Sequence, residues 1–236
     1  MIKQALEYIV GLKEPVIKII AGDTYSDKPL NRISYIPYAK TIEMCTLTSL
    51  VDYIRASIDD MSDKMIIHVV SPTSVKLYSQ LDYDRNREYL AEVNAQLPSF
   101  RFGDFIDHEV FCIALQSKFV KNDDRELVMK FAGTVEDGTV AEYGDDGITQ
   151  KATVKSGLTS KTDAIVPNPV KLCPYRTFLE VEQPASDFIF RMRSERGVQC
   201  AIFEADGGAW KNEAMENIKK YLQSKLDDLS QFTVIS

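Results

Sequence analysis

Apolar positions recur at two periods along this chain, and the change of period organises it. Ile2, Leu6, Ile9 and Val10 fall three and four apart, which predicts a helix over residues 2–12, ended by Gly11 and Pro15. Val16-Ile17-Lys18-Ile19-Ile20 is rich in β-branched residues and reads as a strand. Residues 22–37 are polar and broken by Pro29 and Pro37, as a loop with a short hairpin would be. Leu47, Leu50, Val51, Ile54 and Ile58 predict an amphipathic helix over residues 47–58, with Thr46 as its N-cap. Strands are expected at residues 65–70, 75–83 and 88–93, and Pro72 marks a hairpin between the first two. A second helix is expected over residues 103–119, bearing Phe105, Ile106, Val110, Ile113 and Ala114.

The polar run Lys121-Asn122-Asp123-Asp124-Arg125 reads as a boundary between regions 1–120 and 121–236. Beyond it the pattern alternates, predicting strands at residues 126–135, 148–155, 166–172, 176–182, 188–193 and 198–205. Asp137-Gly138, Asp146-Gly147 and Arg196-Gly197 supply turn glycines. A last helix spans residues 209–226 with the stripe Trp210, Ala214, Ile218, Tyr221 and Leu222, and residues 232–235 add a short edge strand. The fold class is therefore α+β: a helix and strand layer, then a larger, mainly antiparallel β region closed by the last helix with Trp210 inward.

Composition narrows the function classes. The 236 residues, 44% hydrophobic and 27% charged, suffice for a core without disulfide or metal. A net charge of −7 speaks against a broadly basic nucleic-acid surface and leaves a local patch or protein partners. Cys45, Cys112, Cys173 and Cys200 form no C-x-x-C pair, so free thiols in a reducing compartment are expected. No secretory leader pattern and no apolar run of about 20 residues is visible, which favours the cytoplasm and no membrane contact.

Phosphate-cradling glycine loops and the G-x-S-x-G elbow are missing. His68 and His108 are the only histidines, which excludes a multi-histidine metal site. His108 is flanked by Asp107 and Glu109, but neighbours on a helix face different ways. His68, within an apolar strand, is expected inward and hydrogen-bonded. Asp59-Asp60, Asp123-Asp124, Asp145-Asp146 and Asp227-Asp228 stand at element ends, where aspartate is favoured for backbone reasons. No catalytic residue, metal ligand or cofactor is assigned.

The strand 188–193 carries the candidate binding residues. Phe188, Phe190 and Met192 alternate with Ile189, Arg191 and Arg193, so two guanidiniums share one face. They suit phosphate or carboxylate, and Arg176 on the strand before is expected to join them. The competing role is a solvated face, with the arginines paired to Glu180, Glu182 or Glu195. A weaker candidate is Tyr83-Asp84-Arg85-Asn86-Arg87-Glu88-Tyr89, which mixes charge and aromatic rings as single-strand binders do.

Three stretches carry a family resemblance. They are the block from Leu47 through Tyr89; Val166-Pro167-Asn168-Pro169-Val170 with Pro174-Tyr175-Arg176-Thr177-Phe178; and Glu180-Val181-Glu182-Gln183-Pro184 leading to Phe188–Arg193 and Trp210. Together they resemble the uncharacterised tailed-phage and prophage family known as domain of unknown function 2303. The resemblance implies an accessory protein of phage growth in a bacterial host cell, encoded near replication and recombination functions. It brings no catalytic residues. The expectation is a non-enzymatic, homo-oligomeric module that binds DNA or a phage or host protein. The alternative is an anti-defence protein that binds a host protein or sequesters an anionic nucleotide. A nuclease would need converging carboxylates.

Overall fold

The computed structural model describes residues 2–11, 15–20, 23–28, 39–61, 63–142, 150–155, 161–165, 167–194 and 197–236. Asp145, Asp146, Val166, Glu195, Arg196 and most of the 22–37 loop lie outside the described residues. The chain forms two compact units, Met1–Tyr38 and Ala39–Ser236. The smaller contains helix α1 (Ile2–Gly11) and an antiparallel hairpin of β1 (Ile17–Ile20) and β2 (Asp23–Ser26). The Val16 amide donates to the Asp27 carboxylate at 2.7 Å beside that hairpin. No residue of α1 is buried, although its apolar spacing is as expected.

The larger unit holds two apolar cores. The first is built on β3 (Ile42–Met44), β4 (Met65–Ser71), β5 (Ser74–Ser79), β6 (Tyr89–Asn94) and β14 (Phe232–Ile235), in the order β14-β4-β5-β6-β3. β14 runs parallel to β4 and β3 parallel to β6, whereas the central pairs are antiparallel. Helices α2 (Leu47–Ala56) and α5 (Trp210–Lys225) supply Leu47, Leu50, Val51, Ile54, Ile218 and Leu222 to this core. Thr46 caps α2 as expected, its hydroxyl accepting the Ser49 amide at 3.1 Å. Arg55 ties the end of α2 to the Lys225 carbonyl and the Asp228 carboxylate.

The second core lies on the sheet β11-β12-β13-β7, made of β7 (Ile106–Asp107), β11 (Val170–Leu172), β12 (Ser186–Arg193) and β13 (Gln199–Glu204). Helices α3 (His108–Lys118) and α4 (Asp123–Thr134) pack Phe111, Leu115, Val128 and Ala132 against Phe188, Phe190 and Met192. A third antiparallel sheet comprises β8 (Val135–Glu142), β9 (Gln150–Lys155) and β10 (Lys161–Ile165). The class is α+β, with a C-terminal helix followed by a final strand.

Several expectations are corrected. The segment expected as a strand at residues 126–135 is mostly α4. Leu127, Met129 and Phe131 mimic alternation, but Val128 and Ala132, four apart, make the buried face. Asn122 caps that helix through the Arg125 amide at 2.8 Å, so the polar run 121–125 begins a helix inside the larger unit. Helix α3 starts at His108, since Gly103 has φ +82° and residues 106–107 pair with β13. Its buried residues are Phe111, Ala114 and Leu115, while Val110 and Ile113 are exposed. Helix α5 seals the first core and not the back-half strands, and Trp210 is half-buried. His68 points away from the core, edge-on to Tyr78, because Met65, Ile67 and Val69 take the inward positions.

Candidate functional site

Strand β12 presents the two faces its alternation demands. Phe188, Phe190 and Met192 are buried, whereas Arg191 is half-buried and Arg193 exposed on the opposite face. Arg193 donates from Nε to the Gln199 side chain at 2.7 Å across the β12–β13 pair, and its guanidinium lies 4.3 Å from the centre of the Phe105 ring. Phe105 meets Phe203 edge-on. Gly103 beside the Phe203 ring has φ +82°, a backbone conformation that suits glycine.

Two adjoining hollows share Phe105 and Arg193. One, of about 500 Å3, is walled by Ile189, Met192 and Phe203 with Arg191 and Gln150. The other, of about 570 Å3, adds Arg101 and Lys118, with Asp104 the one lining carboxylate among the described residues. Lys118 is oriented by the Ser99 carbonyl at 2.6 Å. Asp107, nearby, has its carboxylate turned to the Glu109 and Val110 amides as the α3 cap. Four cations thus line two hollows that share one aromatic ring, in a chain whose net charge is −7.

Arg176 does not join Arg191 and Arg193. No strand forms at residues 176–182, and Arg176 is buried on the other face of β12. There it donates to Glu204 at 2.9 Å and to the Ser186 hydroxyl, both of which share the Phe188 face. Its guanidinium lies over Trp210 and beside Phe188. Burial draws its pKa below the arginine range, against the opposing pull of Glu204 and Asp206. This is a structural ion pair between a buried guanidinium and an exposed carboxylate, on the face of β12 opposite Arg193.

The other words of the resemblance also prove architectural. The Gln183 amide accepts the Arg176 and Thr177 amides and donates to the Phe178 carbonyl, shaping the turn that places Phe178 in the first core. The Asn168 side chain accepts from the Phe190 amide at 2.6 Å and donates to its carbonyl at 2.9 Å. Gln150 does the same for Met192, at 3.1 Å each way. β11 pairs only with residues 186–188, so these two amides continue the ladder beyond the end of β11. Sequence reasoning missed Gln150, Asn168 and Gln183 because isolated amides carry no spacing signal. It also missed Phe105, assigned to a helix, as a ring beside Arg193.

The remaining candidates are not brought together. His108 lies at the start of α3, its Nδ1 3.8 Å from the adjacent Asp107 carboxylate, too long for a hydrogen bond. No group of three metal-ligating residues is found among the described residues. At 83–89, the preceding Asp82 organises the turn by accepting the Asn86 amide, Arg87 lies over the Tyr78 ring, and Tyr83 is fully exposed. No described helix is long and apolar enough to cross a membrane. Compared with known proteins, the chain matches no family model, no curated protein and no solved structure.

Proposed function

We propose that the chain is a non-enzymatic binding module that holds single-stranded DNA in the groove around Phe105 and Arg193, as an accessory of phage replication or recombination. One observation carries this reading: Arg101, Lys118, Arg191 and Arg193 line two adjoining hollows about an aromatic ring, against a single lining carboxylate among the described residues. Phosphates suit the guanidiniums, and a base suits stacking on the ring, which is the chemistry single-strand binders combine. The setting in phage growth rests on the family resemblance.

Titrating a labelled oligo(dT) tests it. Binding at low salt, falling steeply as salt rises, is expected from counterion release. Absence of binding at low salt overturns the reading. A second reading is favoured by the apolar wall of the smaller hollow, whose volume suits a mononucleotide or cyclic dinucleotide. A raised melting temperature with such a nucleotide, and no oligo(dT) binding, selects nucleotide sequestration instead.

A further inference from the structure

Edge strands expose unpaired amides and carbonyls, and proteins usually guard them with charge, proline or a bulge. Among the described residues, the edge strands of the sheets are β1, β2, β3, β7, β8, β10, β11 and β14. Each of the first seven carries at least one charge: Lys18, Asp23, Glu43, Asp107, Glu136, Lys161 and Lys171 are among them. β14 carries none. From Leu229 to Ser236 there is no Lys, Arg, Asp, Glu, Pro or Gly. The strand pairs with β4 in unbroken parallel register, Phe232 opposite Met65 through Ile235 opposite His68, and no bulge twists it away.

The outward face beside this edge is only partly apolar, with Thr233 and Ile235 of β14 standing opposite Ile66 and His68 of β4. Ile235 is 40% exposed and Val70, on the same face of β4, is 42% exposed, with Ile66 between Thr233 and Tyr78 on that face. The edge thus offers a row of backbone groups on a strand without charged side chains, beside an outward face of Ile66, His68 and Val70.

We infer that β14 is a self-pairing edge, and that two copies of this chain join antiparallel through it into one continuous sheet. A second copy is the partner that matches on every count. Its β14 is equally without charged side chains, it sets a second exposed Ile235 beside the first, and a two-fold contact closes both open edges at once. Side-chain parity restricts the register. Directly opposed residues in an antiparallel pair point to one face, and the core faces of both sheets must stay on one side. The two-fold axis therefore falls on Thr233 or Val234. It cannot fall between them without turning one core outward.

Light scattering across a concentration series of the intact chain tests this. Wild type is expected as a dimer that dissociates on dilution, since four residues a side make a small contact. T233K/I235K places charge on the solvent face of the edge and should be monomeric with an unchanged circular dichroism spectrum. A wild-type monomer throughout, or a dimer that survives T233K/I235K, overturns the inference. If that variant does not fold, hydrogen exchange on wild type decides. Protection of the Thr233–Ile235 amides that rises with protein concentration supports the paired edge, and protection independent of concentration overturns it.

Discussion

The Arg176 guanidinium lies 4.0 Å from the centre of the Trp210 ring, on the first residue of α5. Through Glu204 and Ser186 the same group is bound to the end of the second sheet. Arg176 therefore joins the β12–β13 pair to the helix that seals the first core. Lysine in its place keeps the charge but loses the planar stack and the two-pronged bonding. R176K is expected to lower unfolding stability by roughly 1–3 kcal/mol in urea melts. Because Arg176 is on the face away from Arg193, oligo(dT) affinity should be unchanged. A parallel loss of affinity would contradict that separation.

Asn168 occupies the place of a strand beside Phe190. Its carboxamide supplies one acceptor and one donor, and a carboxylate supplies only acceptors. N168D should leave the Phe190 carbonyl unpartnered and facing a negative charge, at a cost of about 1–3 kcal/mol. The cost should shrink when acid protonates the new carboxyl, because it then donates again. Wild type and variant melts compared at neutral and acid pH check this: the difference between them narrows as pH falls.

The Asp206 carboxyl gives a pH dependence of known sign. Partial burial pushes its pKa up, but bonds from the Ser186 hydroxyl and the Gly208 amide, with the Arg176 charge, outweigh this and hold it below the ordinary range. The unfolded chain, with aspartate near about 3.9, binds this proton first as pH falls. Stability is thus fully present above that value and is lost as pH drops through the lower folded one. Urea midpoints measured below about pH 4 should rise with pH more steeply in wild type than in D206N. Equal slopes would mean that Asp206 is not held low.

Local pattern made some elements legible and not others. Thr46 with Leu47, Leu50, Val51 and Ile54 fixes α2 because a cap and a stripe agree. In α4 they conflict: the Asn122 cap says helix, while Leu127, Met129 and Phe131 imitate a strand, and tertiary packing of Val128 and Ala132 decides. Which sheet α5 covers is not encoded in its own stripe, since either core would accept Ile218 and Leu222. On β12 the parity of Arg191 and Arg193 is a local property and was readable. Arg176 was misplaced because its partners, Glu204 and Trp210, are 28 and 34 residues further along the sequence, and only the fold brings them together.

Arg193 and Phe105 offer the sharpest dissection of the groove, because they separate charge from stacking. Arg193 is exposed and lies on the solvent side of β12, so R193A should fold normally. Removing one phosphate contact should lower the magnitude of the salt slope for single-stranded DNA by about 0.7, along with a loss of affinity at low salt. F105A acts differently. A lost base stack is worth roughly 1–3 kcal/mol, or about 5- to 150-fold in affinity, and is nearly independent of salt. Phe105 also packs on Phe203, so its melting temperature must be followed beside the titration. R193K is the intermediate case, keeping the slope while losing the planar contact over the ring. Oligo(dT) titrations of the three variants at several salt concentrations distinguish these signatures. If R193A and F105A shift affinity equally at every salt concentration, phosphate and base are not divided between charge and ring as this groove arranges them.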